Sequence, residues 1–272
     1  MRPALGSDPV SSMSAALPPT GGALRIGSAL ATTFGVWRGN LVAFSALTLL
    51  AYTPLLVGGA VLGLSIPGVT APQSTVPQDV GPYFRLVGPL WGATMLAFAV
   101  QIGALTSGVI QHLAGRKPAF GAMLGAGLKS FFPLVGLGVL CYLAIVLGVL
   151  LLVVPGIILA IALSVAIPAL VAERLGVRRS MRRSLELTRG NRLAMFAVFL
   201  VIMAVGTAVS AFSSFLLPAA TASFAPWLGL AFGFAVNVVF GTLYWVLPAV
   251  LYHQLRVAKE GVDTAQLAAV FD

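Results

Sequence analysis

Acid is what this chain has least of. Seven Asp and Glu residues are spread over 272 positions, alongside two histidines and a single cysteine. The acids are Asp8, Asp79, Glu173, Glu186, Glu260, Asp263 and Asp272. General acid–base catalysis needs carboxylates or histidines that converge, and a metal centre needs three or four ligands at suitable spacing. This distribution offers neither, so an enzyme is not expected, and neither a metal nor a cofactor is implied. His112 and His253 could approach each other and recruit Glu260 or Asp263, but two scattered histidines are more often residues of an interface than ligands. Cys141 alone excludes a disulfide framework or a Cys-based metal site within one chain.

Charge of either sign is scarce: 8% of the residues are Asp, Glu, Lys or Arg, against roughly 25% in an ordinary soluble domain. What fills the chain instead is apolar, 59% of it. The apolar residues form long continuous runs, and about 20 such residues in a helix cross a hydrocarbon core about 30 Å thick. A span must satisfy its own backbone, so these runs imply helices. Six spans are expected, at about 41–64, 86–112, 131–154, 156–172, 193–217 and 227–252. The third and fourth are separated by reach. No charge occurs from Ser130 to Ala172, and one helix of that length would extend about 64 Å at 1.5 Å per residue. The chain must fold back, and Pro155-Gly156 is the best breaker available.

With six spans, every Lys and Arg except Arg85 falls on one side. Cytoplasmic loops retain positive charge, so both termini are expected in the cytoplasm. The net charge of +9 then reflects orientation, and no nucleic-acid partner is expected. Residues 1–22 are rich in Pro, Ser, Ala and Gly without an apolar core; they do not resemble a cleaved signal peptide and read as a disordered cytoplasmic tail. The membrane domain is expected over 23–256. Residues 257–272 form a cytoplasmic tail, in which Asp263 and Gln266 resemble a capping box for a short helix. Residues 65–83, with four prolines, make a long outer loop.

Two stretches are too polar to span yet carry helical apolar stripes. Leu24 to Arg38 places Ile26, Leu30, Phe34 and Trp37 on one face, and Arg174 to Arg189 places Val177, Met181 and Leu185 on another. Both are expected to lie in the cytoplasmic interface, with Trp37 at headgroup depth. An offset of 151 residues aligns Leu24 with Leu175 and Arg38-Gly39-Asn40 with Arg189-Gly190-Asn191. IPAL at Ile167 is echoed by LPAV at Leu247. The pattern suggests a unit of surface helix, span and returning span used three times, with a degraded middle copy opening near Arg116 and passing Lys129. The fold class is therefore all-α integral membrane: six transmembrane helices as three helical hairpins, with amphipathic interfacial helices before spans 1 and 5. In the repeated triplet, Arg38 and Arg189 would meet the negative end of a helix dipole, Gly39 and Gly190 would adopt the left-handed conformation that stops a helix, and Asn40 and Asn191 would cap the next one. A ligand-binding turn is the alternative reading of these corners.

The stretch VVPGIILAIALSVAIPALVAERLGVRRSMRRSLELTRGNRLAMF, together with the ending LYHQLRVAKEGVDTAQLAAVF, resembles the membrane domain associated with glycerophosphoryl diester phosphodiesterases and related six-span bacterial inner-membrane proteins. The Pro-Gly turn, the Glu-Arg pair, the Arg-Arg-Ser run and Lys-Glu-Gly are its most specific parts, and the resemblance covers about Gly22 onward. It implies a polytopic helical domain of a bacterial cytoplasmic membrane. The phosphodiesterase activity of larger members belongs to a separate soluble domain, so the resemblance implies no such chemistry for these residues.

Near mid-membrane the strongest polar groups are Gln101 and Asn237, for which a mutual hydrogen bond is the simplest expectation; lining of a polar cavity is the alternative. Small residues recur every four positions at Gly156, Ala160, Ser164 and Pro168, at Gly206, Ser210 and Ser214, and at Gly229, Gly233, Asn237 and Gly241, as close helix packing requires. Pro54, Pro168 and Pro248 are expected to kink their helices. The arginines Arg174, Arg178, Arg179, Arg182, Arg183, Arg189 and Arg192 orient the chain and attract anionic lipid, or form a dedicated site for phospholipid headgroups or an acidic partner. The leading expectation is a non-enzymatic, lipid-interacting accessory or scaffold whose partners are membrane phospholipids, with another membrane protein or a second copy as further candidates. A permease-like protein moving a small amphiphile or lipid without ion coupling is the second, since no acid lies inside a span.

Overall fold

The protein is described by a computed structural model over residues 24–61, 81–216 and 226–261. The terminal tail, most of the outer loop and the Asp263 capping box lie outside the described residues. Among the described residues the chain is helical: α1 (Ile26–Gly39), α2 (Leu41–Val61), α3 (Gly81–Leu113), α4 (Phe120–Lys129), α5 (Phe131–Leu151), α6 (Val153–Leu163), α7 (Ala166–Glu173), α8 (Val177–Thr188), α9 (Arg192–Ala211) and α10 (Pro226–Glu260), with a π-helical turn at Phe212–Leu216 after α9. Six helical segments are long and apolar enough to cross a membrane: Leu41–Gly58, Gly88–Leu113, Phe131–Leu151, Val153–Glu173, Arg192–Phe215 and Ala231–Glu260. Large apolar side chains such as Phe132, Tyr142, Leu147, Leu150 and Leu193 point outward. That is the surface of a chain whose solvent is lipid.

Consecutive spans pack on each other: α2 on α3, α5 on α6, α9 on α10. The turn between α5 and α6 lies earlier than the sequence suggests. Leu152, in an extended conformation, separates the two helices, and Pro155 sits in the first turn of α6, where a missing N–H costs nothing. Gly156 instead mediates packing, because a Cβ there would run into Val149, and a Cβ added at Gly148 would lie 3.0 Å from the Gly156 Cα. The fourth span is itself broken at Ser164–Val165, between α6 and α7. Pro168 supplies the reason: its ring clashes with the carbonyl of residue 164 and it donates no hydrogen bond. Pro54, Pro89 and Pro248 lie inside continuous helices.

The helix α1 packs lengthwise on the last span, α10. Trp37 on α1 donates its indole N–H to the Val239 carbonyl (3.1 Å) and to Thr242 Oγ1 (2.8 Å), while Gln254 reaches the Ser28 carbonyl and Thr32 at the other end of α1. Twelve residues of α10, about 18 Å at 1.5 Å per residue, thus separate the two points of attachment. The indole N–H of Trp37 is thus satisfied within the bundle, as a partly buried indole requires. An offset of 151 does carry Ile26 onto Val177 and Leu41 onto Arg192, the first residues of α1, α8, α2 and α9. The IPAL and LPAV segments meet in one core cluster through Ala169 and Leu247.

In the degraded middle copy, α4 takes the position of the leading helix. Met123 packs on Gly108, and Gly127 abuts the Val100 carbonyl and Ala104, so α4 runs antiparallel to α3 in close contact. Any side chain at residue 127 must push the two backbones apart. Gly127→Ala should therefore cost about 2 kcal/mol through overpacking, whereas Gly125→Ala, whose Cβ would meet nothing within 4 Å, should be neutral or stabilise by up to about 1 kcal/mol. Detergent unfolding curves of the two variants test this ordering.

Candidate functional site

Polar chemistry collects at one end of the bundle, where α7 stops, α8 crosses and α10 ends. Breaking the fourth span frees the Ala162 carbonyl from its place in the helix ladder. Ser184 on α8 donates to it at 2.7 Å, with Thr188 at 3.4 Å. The inward face of α8 is therefore Ser180, Ser184, Leu187 and Thr188, all buried, rather than the expected Val177, Met181 and Leu185 stripe. Val177 and Met181 pack at the margin of the Leu134–Leu170 cluster, and Leu185 is exposed. Small hydroxyl residues win because a buried carbonyl without a donor costs more than an apolar contact returns.

Glu173, the last residue of α7, accepts hydrogen bonds from Tyr252 Oη (2.7 Å) and from Arg183 Nε (2.9 Å). Arg183 also pairs with Glu260, and Glu260 with Arg256 at 3.0 Å. Arg256 closes the ring by donating to Tyr252 Oη at 3.3 Å and lying over its aromatic face. Burial disfavours the charge on Arg183, yet its hydrogen bonds and attraction to Glu173 and Glu260 outweigh this and raise its pKa above the ordinary guanidinium value. Lys259 adds a second tie, donating to the carbonyls of Glu186 and Arg189 at 2.7 Å each. A cation is thereby placed on the negative end of the α8 dipole.

Arg183 is thus separated from the set of arginines expected to face lipid. Arg174, Arg178, Arg179, Arg182 and Arg189 are exposed, and Arg182 makes an exposed pair with Glu186. Arg192 is partly buried at the start of α9. The two triplet corners differ from each other. Gly190 takes the expected positive φ of 89°, while Gly39 stays helical, with its α-carbon against the His112 ring. Neither asparagine caps the following helix. Asn191 Oδ1 accepts from the Leu24 amide at 2.9 Å, tying the beginning of α1 to that of α9. Asn40 Nδ2 donates to the Val36 carbonyl and contacts His112 Nδ1 at 2.8 Å. Arg38 is exposed beside this corner.

Gln101 and Asn237 do not bond each other. Gln101 is buried and donates to Thr48 Oγ1 at 2.6 Å; Asn237 donates to Ser213 Oγ at 2.6 Å and to the Gly233 carbonyl at 2.9 Å. Each has found a hydroxyl on its nearest packed neighbour. The π-turn brings Ser213 close to α10, and a Cβ at Gly233 would strike the Ser213 carbonyl at 2.6 Å. Gly206 and Gly241, by contrast, meet nothing within 4 Å and line a recess of about 590 Å³ with Asn237, Ser210 and Tyr244. Among the described residues no three His, Cys, Asp or Glu side chains converge as metal ligands. His253 has its Nε2 buried without a hydrogen-bond partner.

Comparison with family models, with curated proteins and with solved structures finds no match to this chain. The ring around Glu173 is best read as a clamp joining α7, α8 and α10, since its carboxylates are occupied by guanidinium and phenol groups. Tyr252→Phe removes one hydrogen bond to a charged acceptor while keeping the buried ring. It should lower unfolding free energy by about 1.5–3 kcal/mol, read as a fall in thermal midpoint in detergent; an unchanged midpoint would deny the clamp its role.

Proposed function

We propose that this chain is a non-enzymatic multi-pass protein of a bacterial cytoplasmic membrane, serving as a lipid-interacting accessory or scaffold with both termini on the cytoplasmic side. The observation that carries this reading is the outward face around α8. Arg174, Arg178, Arg179, Arg182 and Arg189 are exposed there, while the partly buried Arg183 is held by the clamp and Lys259 is occupied by the carbonyls of Glu186 and Arg189. A helix presenting guanidiniums outward and hydroxyls inward is fixed in position by its inner contacts and left free to meet anions with its outer ones. Near an anionic leaflet each such cation contributes about 1 kcal/mol. Cations retained at this end, with Arg85 alone assigned to the other, support the orientation. The resemblance to phosphodiesterase-associated membrane domains points the same way, and phospholipids are the expected partners, with a neighbouring membrane protein or a second copy compatible with the same face.

The recess between α9 and α10 favours a second reading, a permease-like protein for a small amphiphile. Its polar lining includes Asn237 but not Gln101, which is sealed between α2 and α3.

The test replaces Arg178, Arg179 and Arg182 together by Gln in nanodiscs of mixed phosphatidylglycerol and phosphatidylcholine. The variant should keep its melting temperature and lose several-fold of the wild-type enrichment in phosphatidylglycerol, measured by mass spectrometry of retained lipid. Undiminished enrichment would remove the α8 face from the account.

A further inference from the structure

Between α9 and α10 lies a recess of about 590 Å³ whose lining contains no charged side chain. Ile202, at one end of it, lies about 15 Å along α9 from Arg192, and Ser210 about 27 Å, at 1.5 Å per residue. In a hydrocarbon core about 30 Å thick, the recess therefore occupies the half of the bundle opposite the clamp. Thr207, Ser210, Ser214 and Tyr244 line it and are exposed, so it opens sideways from between two spans toward lipid.

On other helices hydroxyls are satisfied locally: Thr33, Thr48, Thr53 and Thr94 each donate to the carbonyl four residues earlier. The side-chain hydroxyls of Thr207, Ser210, Ser214 and Tyr244 make no hydrogen bond among the described residues, yet they share one recess. Asn237 joins them. Its Nδ2 donates to Ser213 Oγ and to the Gly233 carbonyl, which leaves Oδ1 an acceptor without a donor among the described residues. Lipid tails offer no hydrogen bonds, so unmet polar groups gathered at this depth suit a ligand that brings polar groups of its own.

The shape of the recess is set by backbone. The π-helical turn at Phe212–Leu216 carries Ser213 inward, where it is buried and takes the Asn237 bond, and leaves Ser214 and Phe215 on the recess wall. Single π-helical turns of this kind are frequent at functional sites. Gly233 is required by contact with that turn, whereas Gly206 and Gly241 serve no such contact, since a Cβ at either would meet nothing within 4 Å. Glycine at those two positions keeps the recess deep.

We propose that this recess binds a neutral lipid with a free hydroxyl, of the diacylglycerol class, entering from the hydrocarbon side. Asn237 Oδ1 can only accept, so the ligand must donate to it; the hydroxyls of Thr207, Ser210, Ser214 and Tyr244 then donate to ester oxygens. Met203, Val205, Phe240 and Leu243 supply an apolar wall for an acyl chain. A phosphate is disfavoured, because no cation in the lining would offset the cost of bringing its charge to this depth. The volume lies within the roughly 300–1,000 Å³ of small-molecule sites. The proposal deepens the second reading above and rests on the same recess, but it needs binding only, with no movement across the membrane.

Two variants of the full chain test it. Gly206→Leu fills the recess, and Thr207→Val combined with Ser210→Ala and Tyr244→Phe removes hydroxyls that hold nothing else in the protein. Neither breaks a hydrogen bond, so both should melt no lower than wild type. The Arg178/Arg179/Arg182→Gln triple variant, which leaves the recess intact, is the control. Each protein is placed in phosphatidylcholine nanodiscs containing either dioleoylglycerol or its acetylated derivative, which lacks the hydroxyl, and is released for native mass spectrometry. The expected result is one dioleoylglycerol retained per chain, kept by the control and reduced at least tenfold by either recess variant and by acetylation of the lipid. Acetylation leaves the chain unaltered, so that loss cannot come from misfolding. Equal retention by all variants, or of both lipids, overturns the site. Dimers that Gly206→Leu dissociates, with no glyceride bound, also overturn it and give this face to a second copy. Retention without transbilayer movement of a fluorescent diacylglycerol in proteoliposomes supports the site and removes the permease reading. Movement of a charged phospholipid without glyceride retention does the reverse.

Discussion

A carboxylate at the end of a broken helix is the constraint on which this structure turns. Glu173 ends α7, which exists as a separate segment because Pro168 forbids the fourth span to continue unbroken from α6. Left alone there, the partly buried carboxylate would carry an uncompensated desolvation cost. Tyr252 and Arg183 remove that cost from two directions, one from α10 and one from α8. Each partner then has a second duty. Arg183 meets Glu260, and Tyr252 meets Arg256, so satisfying a single acid ties together three elements remote in sequence.

The same demand for internal pairing governs the rest of the bundle. Lipid offers no hydrogen bonds, so each polar group in a span needs a protein partner. The Ala162 carbonyl freed by the helix break takes Ser184, Gln101 takes Thr48, Asn237 takes Ser213, and Trp37 takes Thr242 with the Val239 carbonyl. Such bonds average about 0.6 kcal/mol in membrane proteins and act more on which surfaces meet than on total stability. Backbone proximity does the remaining work, at Gly127 against α3, Gly156 against α5 and Gly233 against the π-turn.

The membrane class and the six spans were legible because length and composition decide them, with little dependence on neighbours. The corners were partly legible: the 151-residue offset locates the starts of α1, α2, α8 and α9, but it could not say that Asn191 would hold the Leu24 amide rather than cap its own helix. An apolar stripe such as Ile26, Leu30, Phe34 and Trp37 looks the same whether it faces lipid or another helix, so the sequence could not name α10 as the neighbour along which α1 lies. The turn at Leu152 was hidden by a stronger proline-glycine signal three residues later. Glu173 and Arg183, ten residues apart on different helices, fit no periodicity. A faint signal existed all the same, since Glu-Arg at 173, Arg-Arg-Ser ending at 184 and Lys-Glu-Gly ending at 261 each send at least one member to this end of the bundle.

A double-mutant cycle across Glu173→Gln and Arg183→Gln, with unfolding free energies measured in one detergent, addresses the clamp most directly. If the two side chains form a partly buried, hydrogen-bonded pair, the single substitutions will each destabilise and the double will cost less than their sum, by about 1–3 kcal/mol. Additivity within about 0.3–0.5 kcal/mol would mean that the two do not interact, and that something other than Glu173 holds α8 against the end of the bundle.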